Sequence, residues 1–143
     1  MAFSRTDEGQ SSAITCEGPA SRDVFVDAAH GLFDVIADGS KIRGDERQEI
    51  VVQAEDMQRL FAAWLGELIE RVAQTGMVYS DFEVFSIQKG GPKQYVLTGA
   101  VYGEVGDPKR HTIRPSVTLD QNHVAFSQSD TRSSGSFKVR WSD

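Results

Sequence analysis

The chain has 143 residues, 39% hydrophobic and 25% charged, the proportions of one globular domain with a real hydrophobic core. Its net charge of −6 argues against a free-standing nucleic-acid binder, whose phosphate affinity comes from many Lys and Arg contacts; if RNA is involved, a basic partner holds it. No run approaches the roughly 18 apolar residues of a membrane span, the first residues lack the apolar core of a signal peptide, and the single cysteine, Cys16, excludes an internal disulfide, so the expected location is the cytoplasm.

The first dozen residues are polar and contain Gly and Ser, which predicts a flexible segment over residues 1–12 ahead of a single domain over 13–143. "AITCE" reads as a short strand with Cys16 buried. Ser21 is placed to cap a helix in which Phe25, Ala28, Ala29, Leu32, Phe33 and Ile36 keep the i, i+3, i+4, i+7 spacing of one buried face, and Gly39 is placed to end it. "GDERQ" is a charged loop and "EIVVQA" a β-branched strand. The second helix is the clearest element: Met57, Leu60, Phe61, Trp64, Leu65, Leu68, Ile69 and Val72 recur at three- and four-residue steps, Gly76 stops the run, and Arg59, Glu67, Glu70 and Arg71 form its wet face.

Everything after Gly76 is β in pattern. "DFEVFSIQ", "QYVLTGAVYGEV", "TIRPSVTLD" and "HVAFSQS" alternate or run apolar, with "KGGPK", "GDPKRH" and "QN" as turns between them, and "SFKVRW" follows as the last strand. The expected fold is α+β, with two helices packed on a mostly antiparallel β-sheet.

Chemistry is sparse. Asp27, His30 and Asp34 place an imidazole between carboxylates on the polar side of the first helix, a pattern that fits a solvated face better than a metal site, because no further ligands are indicated. No GxSxG, P-loop or HExxH pattern is present, so nothing points to an enzyme, and a metal-dependent hydrolase lacks the cluster it would need. "GDPKRH" gathers Asp107, Lys109, Arg110 and His111 into one turn in which Pro108 fixes φ and Asp107 can bond back to the chain. Lys109, Arg110 and Arg114 form a weak basic set. These residues read as a recognition loop or a solvated hairpin tip.

Several strings together resemble the archease family over about residues 18 to 125: "FVDAAHGLFDVIAD", "AEDMQRLFAAWLGELI", "GMVYSDFEV" and "GAVYGEVGDPKRH". The most specific part is the L-x-x-W-L-x-E-L helix combined with the later Y-G-E-x-x-D-P-x-R-H turn. The resemblance implies an archease-like fold and a non-enzymatic cofactor or modulator of an RtcB-type RNA ligase in tRNA splicing and RNA repair. It makes Asp107, Lys109, Arg110 and His111 a partner-binding loop and implies a divalent cation such as calcium. Against the family's D-H-T-A-D-x-G string this chain has "DEGQSSA", with Asp7 retained, Glu8 for the histidine and Ser11 for the ligand aspartate. Ala63 stands where the family has a glutamate, and Ser116, Val117 and Thr118 stand for its glutamate, apolar residue and functional lysine. Ser142 takes the place of its final aspartate, with Asp143 one residue later, and a one-residue slip would turn that side chain to the other face. The metal site is thus expected to be degenerate, with Asp7 and Asp143 as remaining candidates and no cofactor. The alternative is a divergent paralogue that keeps the scaffold and binds a different protein or ligand without activating a ligase.

Overall fold

The computed structural model describes residues 3–37, 41–114 and 116–142. A hairpin of β1 (Phe3–Glu8) and β2 (Ser11–Gly18) leads into helix α1 (Ser21–Ile36), then β3 (Glu46–Ala54), α2 (Met57–Thr75), β4 (Met77–Gly91), β5 (Gln94–Val105), β6 (Thr118–Gln128) and β7 (Ser133–Arg140). The α+β reading holds, with two antiparallel sheets in place of one. Their strand orders are β1-β2-β7-β6 and β3-β5-β4.

Helix α1 lies against both sheets, packing on β2 and β7 of one and on β4 of the other. Its buried residues, Val24, Phe25, Ala28, Ala29, Gly31, Leu32, Phe33, Val35 and Ile36, reach well beyond a single stripe, as a helix enclosed on several sides requires. Gly31 permits the close approach of the first hairpin, since a Cβ there would stand 2.7 Å from Ile14 Cγ2. Helix α2 packs on β3, β6 and α1, burying Leu60, Phe61, Trp64, Leu65 and Leu68. It starts at Asp56, whose side chain accepts from the Arg59 N–H, and ends at Gly76 with φ 72°, the left-handed conformation that favours glycine.

Four expectations need correction. Within the segment expected to be loose over 1–12, residues 3–12 instead belong to the β1-β2 hairpin, turned at Gly9 with φ 60°, and residues 1–2 lie outside the described residues. Its polar composition hid the inward positions: Phe3 packs on the core, and Arg5 reaches Asp7 and Asp34. Ser21 is not the cap of α1, because Ala20 takes that place without a side-chain bond and the Ser21 hydroxyl donates to Gln128 Oε1 at 2.8 Å. Gly39 lies outside the described residues. "TIRPSVTLD" is not one strand, because the Arg114 N–H bonds Ile36 O at 2.7 Å and ties that segment to the end of α1. Finally, "QN" is no hairpin turn. It lies within β6, at a register shift between Leu119 and Val124, where Asp120 Oδ1 accepts the Asn122 N–H at 3.1 Å.

Trp64 joins the two helices. It is 0% exposed, and its indole Nε1–H donates to Phe25 O at 2.9 Å. Trp64→Ala is expected to cost about 3–5 kcal/mol of stability by denaturant unfolding; a loss below about 1 kcal/mol would place this side chain outside the core.

Candidate functional site

The stretch "GEVGDPKRH" leaves β5 and folds into one closed turn. The Gly106 N–H donates to Gly76 O at 2.8 Å, which pins the loop to the end of α2. Asp107 O accepts the N–H groups of Arg110 at 3.0 Å and His111 at 2.7 Å, and Asp107 Oδ1 accepts the Lys109 N–H at 2.9 Å. His111 Nδ1 accepts the Asp107 N–H at 2.9 Å, so in this geometry Nε2 carries the ring proton. Nε2 lies 3.3 Å from Glu104 Oε2 without a well-formed hydrogen bond, and the ring is fully buried. His111 therefore holds the loop together from inside and is not part of its outer surface.

Glu104 anchors the same turn from β5. Its carboxylate pairs with the Arg110 guanidinium and accepts the Arg43 N–H, and Arg110 Nε also lies 3.5 Å from Asp107 Oδ2. The Arg110 hydrogen bond, followed by the Arg43 N–H, pulls the Glu104 carboxyl down to about 2. Of the four loop residues singled out in the sequence, Lys109 is exposed, Asp107 and Arg110 are committed to the turn, and His111 is internal. Because the folded value lies below the ordinary 4.5, the Glu104 contribution is fully present above pH 4.5 and is lost as pH falls through about 2. The stability difference between wild type and Glu104→Gln is expected to be steady near neutral pH and to shrink across that acidic window. A difference independent of pH would remove the carboxylate charge from the account.

The second group of residues meets at the strand ends. Arg140 pairs in register with Ser11 of β2 on one side and Thr118 of β6 on the other, and Ser11 pairs with Glu8 of β1. Glu8, Ser11, Arg140 and Thr118 thus form one row on one face of the sheet. Just beyond it the Ser116 hydroxyl donates to Ser142 O at 2.7 Å, and the Trp141 N–H donates to Gln10 O at 3.0 Å. Arg114 stacks on Trp141 at 4.5 Å and donates to Val35 O at 2.6 Å, locking this corner to the end of α1. The positions that stand for the family's ligand aspartate, lysine and final aspartate, Ser11, Thr118 and Ser142, are far apart in sequence and neighbours here.

This donor set does not fit a hard divalent cation, which takes several carboxylate or carbonyl oxygens. Among the described residues the corner offers neutral hydroxyls, and Ser11 Oγ and Ser116 Oγ spend their protons on the main-chain carbonyls of Glu8 and Ser142. Arg140 adds positive charge to the row, and its one carboxylate, Glu8, lies beyond Ser11. Asp7 is committed elsewhere: Arg5 pairs with it at 2.8 Å, the Ser12 hydroxyl donates to it at 2.5 Å, and these bonds hold its carboxyl below the usual range. Asp143 lies outside the described residues. No group of three His, Cys, Asp or Glu that could hold a metal occurs among the described residues. The helix set Asp27, His30 and Asp34 is split as well, since Asp34 pairs with Arg5 and the His30 ring stands edge-on to Phe82 at 5.0 Å. Burial pushes the His30 imidazole down, against the pull of Asp81 and Asp27. A cleft of about 530 Å³ beside α2, lined by Arg59, Ala63, Gly66, Glu67 and Glu70, includes none of the loop or corner residues. Calorimetric titration with calcium or manganese is expected to show no micromolar binding, and Ser11→Asp with Ser142→Asp together are expected to raise the affinity. Tight binding by the unaltered chain would show that the corner still holds a metal.

The sequence did not reveal Glu104 as the loop's anchor, the Arg5–Asp7–Asp34 link, or Arg140. Arg140 had a visible signal, because alternation in "SFKVRW" sets it on the face opposite Phe137 and Val139.

Known proteins resemble this chain in sequence and fold. Residues 11–130 match the archease protein family (MTH1598/TM1083). Protein archease of Pyrococcus furiosus is 36% identical over 106 residues, covering 74% of this chain and 73% of that protein. Protein archease of Methanopyrus kandleri is 35% identical over 101 residues, covering 71% of each. The solution structure of Methanobacterium thermoautotrophicum protein 1598 superposes with a TM-score of 0.77 at 23% identity, covering 96% of this chain and 97% of that one, and shares its fold. The chain belongs to the archease family.

Proposed function

We propose that this protein is a non-enzymatic accessory protein that docks on a partner, an RtcB-type RNA ligase of tRNA splicing and RNA repair, and modulates it. The observation that carries this reading is the convergence of Ser11, Thr118 and Ser142 around Arg140 at the ends of β2, β6 and β7, with the Gly106–His111 loop in the segment that leads from β5 into β6. A protein that assists another's active site needs one compact set of side chains to present there, and this corner is such a set. The chain's charge of −6 leaves RNA to the partner.

The loop serves as the recognition element beside that corner. Arg110 and His111 fix its shape, and Lys109 is the charge it offers outward. Such charges act on association rate and salt dependence more than on fold stability. Lys109→Ser is expected to leave the melting temperature unchanged and to weaken binding to the purified ligase, most at low salt. Arg110→Ser is expected to lower both stability and binding, because Arg110 also pairs with Glu104. If the unaltered chain does not bind the ligase, the reading fails. Capture of a different protein through the same loop would then favour the alternative, a paralogue that keeps the scaffold and has changed its partner.

A further inference from the structure

The corner that resembles a metal site holds a fixed cation of its own. The Arg140 side chain is exposed and forms no salt bridge among the described residues. Its cross-strand neighbours, Ser11 and Thr118, are small and neutral, with Cβ atoms that pairing sets at about 4.5–5.5 Å. Lys138 lies two residues back along β7 on the same face, about 6.4–6.8 Å along the strand, beside Ala13 of β2. Asp120 is the carboxylate whose field reaches Arg140, and it is engaged by the Asn122 N–H at 3.1 Å and by His123 Nδ1 at 2.9 Å. Arg140 and Lys138 thus share one face beside the neutral Ser11, Thr118 and Ala13, with Glu8 at the end of the row and Asp120 within reach of Arg140.

We propose that this corner is a metal-independent site for a phosphate group, with the Arg140 guanidinium as its main donor and Lys138 in support. The proposal rests on the accessory role above and names the chemistry that the corner would present to an RNA ligase. A guanidinium offers paired N–H donors that match two phosphate oxygens, and a phosphate carries up to two charges where a carboxylate carries one. The second cation on the same face therefore favours phosphate as the ligand. Arg140 also stands directly across from Thr118. The cation that the resemblance assigns to a lysine on one strand is supplied here from the next.

The test needs no ligase, so its outcome is independent of partner docking. Inorganic pyrophosphate is titrated into the full chain in the presence of EDTA, and amide shifts of Ser11, Thr118 and Arg140 are followed by NMR. Saturable shifts at these residues are expected, weakened at least tenfold in Arg140→Gln and less in Lys138→Gln, with melting temperatures unchanged. Adding Thr118→Lys to Arg140→Gln is expected to recover much of the loss, because the new ammonium reaches the same place from the paired position. Acetate at equal concentration is expected to leave the shifts unchanged. Equal binding by Arg140→Gln, shifts confined to other residues, or an equal response to acetate would each overturn the proposal. So would calcium shifting these amides at micromolar concentration.

Discussion

Enclosure of helix α1 is the constraint on which the rest of the structure depends. A helix lying against two sheets must be apolar around much of its circumference, and Val24, Phe25, Leu32, Phe33 and Ile36 meet that demand. Gly31 removes the one side chain that would hold the first hairpin away. Helix α2 is then fixed to α1 through the Trp64 indole bond to Phe25 O, with Phe25 and Phe61 edge to face at 5.2 Å. Burial of these aromatic and aliphatic groups supplies the main driving force for the fold.

The same packing places the loop and the strand-end corner beside the helix ends. The Arg114 side chain and its N–H bond the last carbonyls of α1, and Gly106 bonds the end of α2. The segment between β5 and β6 is thereby tied to the ends of both helices. Polar side chains do the closing work there: Glu104, Arg110 and His111 for the loop, Arg5, Asp7 and Asp34 for the first hairpin. Each group lies partly out of water, where a pair broken on one side leaves an uncompensated partner.

Within the archease scaffold this chain sets neutral and cationic side chains at the strand-end corner. Hydroxyls occupy the positions that the resemblance assigns to carboxylates, and a guanidinium stands between them. Ser11, Thr118 and Arg140 occupy ordinary ladder positions, so side chains of different charge fit there on the same backbone, and hydroxyls with a guanidinium suit a hard cation poorly.

The sequence by itself determined the α+β class, both helices and their buried faces, because helical periodicity is local and strong in Leu60, Trp64 and Leu68 and in Phe25, Leu32 and Ile36. It also determined the family, through the helix string and the Y-G-E-x-x-D-P-x-R-H turn, and it located the loop. The tertiary structure alone decided that residues 3–8 are a strand, since their apolar content is the single Phe3 and their stability comes from a salt bridge to Asp34 and from pairing with β2. It alone decided that the strands divide into two sheets, that His111 is internal, and that Arg140 shares a row with Ser11 and Thr118. Each of these depends on pairing between segments distant in the chain, and local pattern carries no record of which strand becomes whose neighbour.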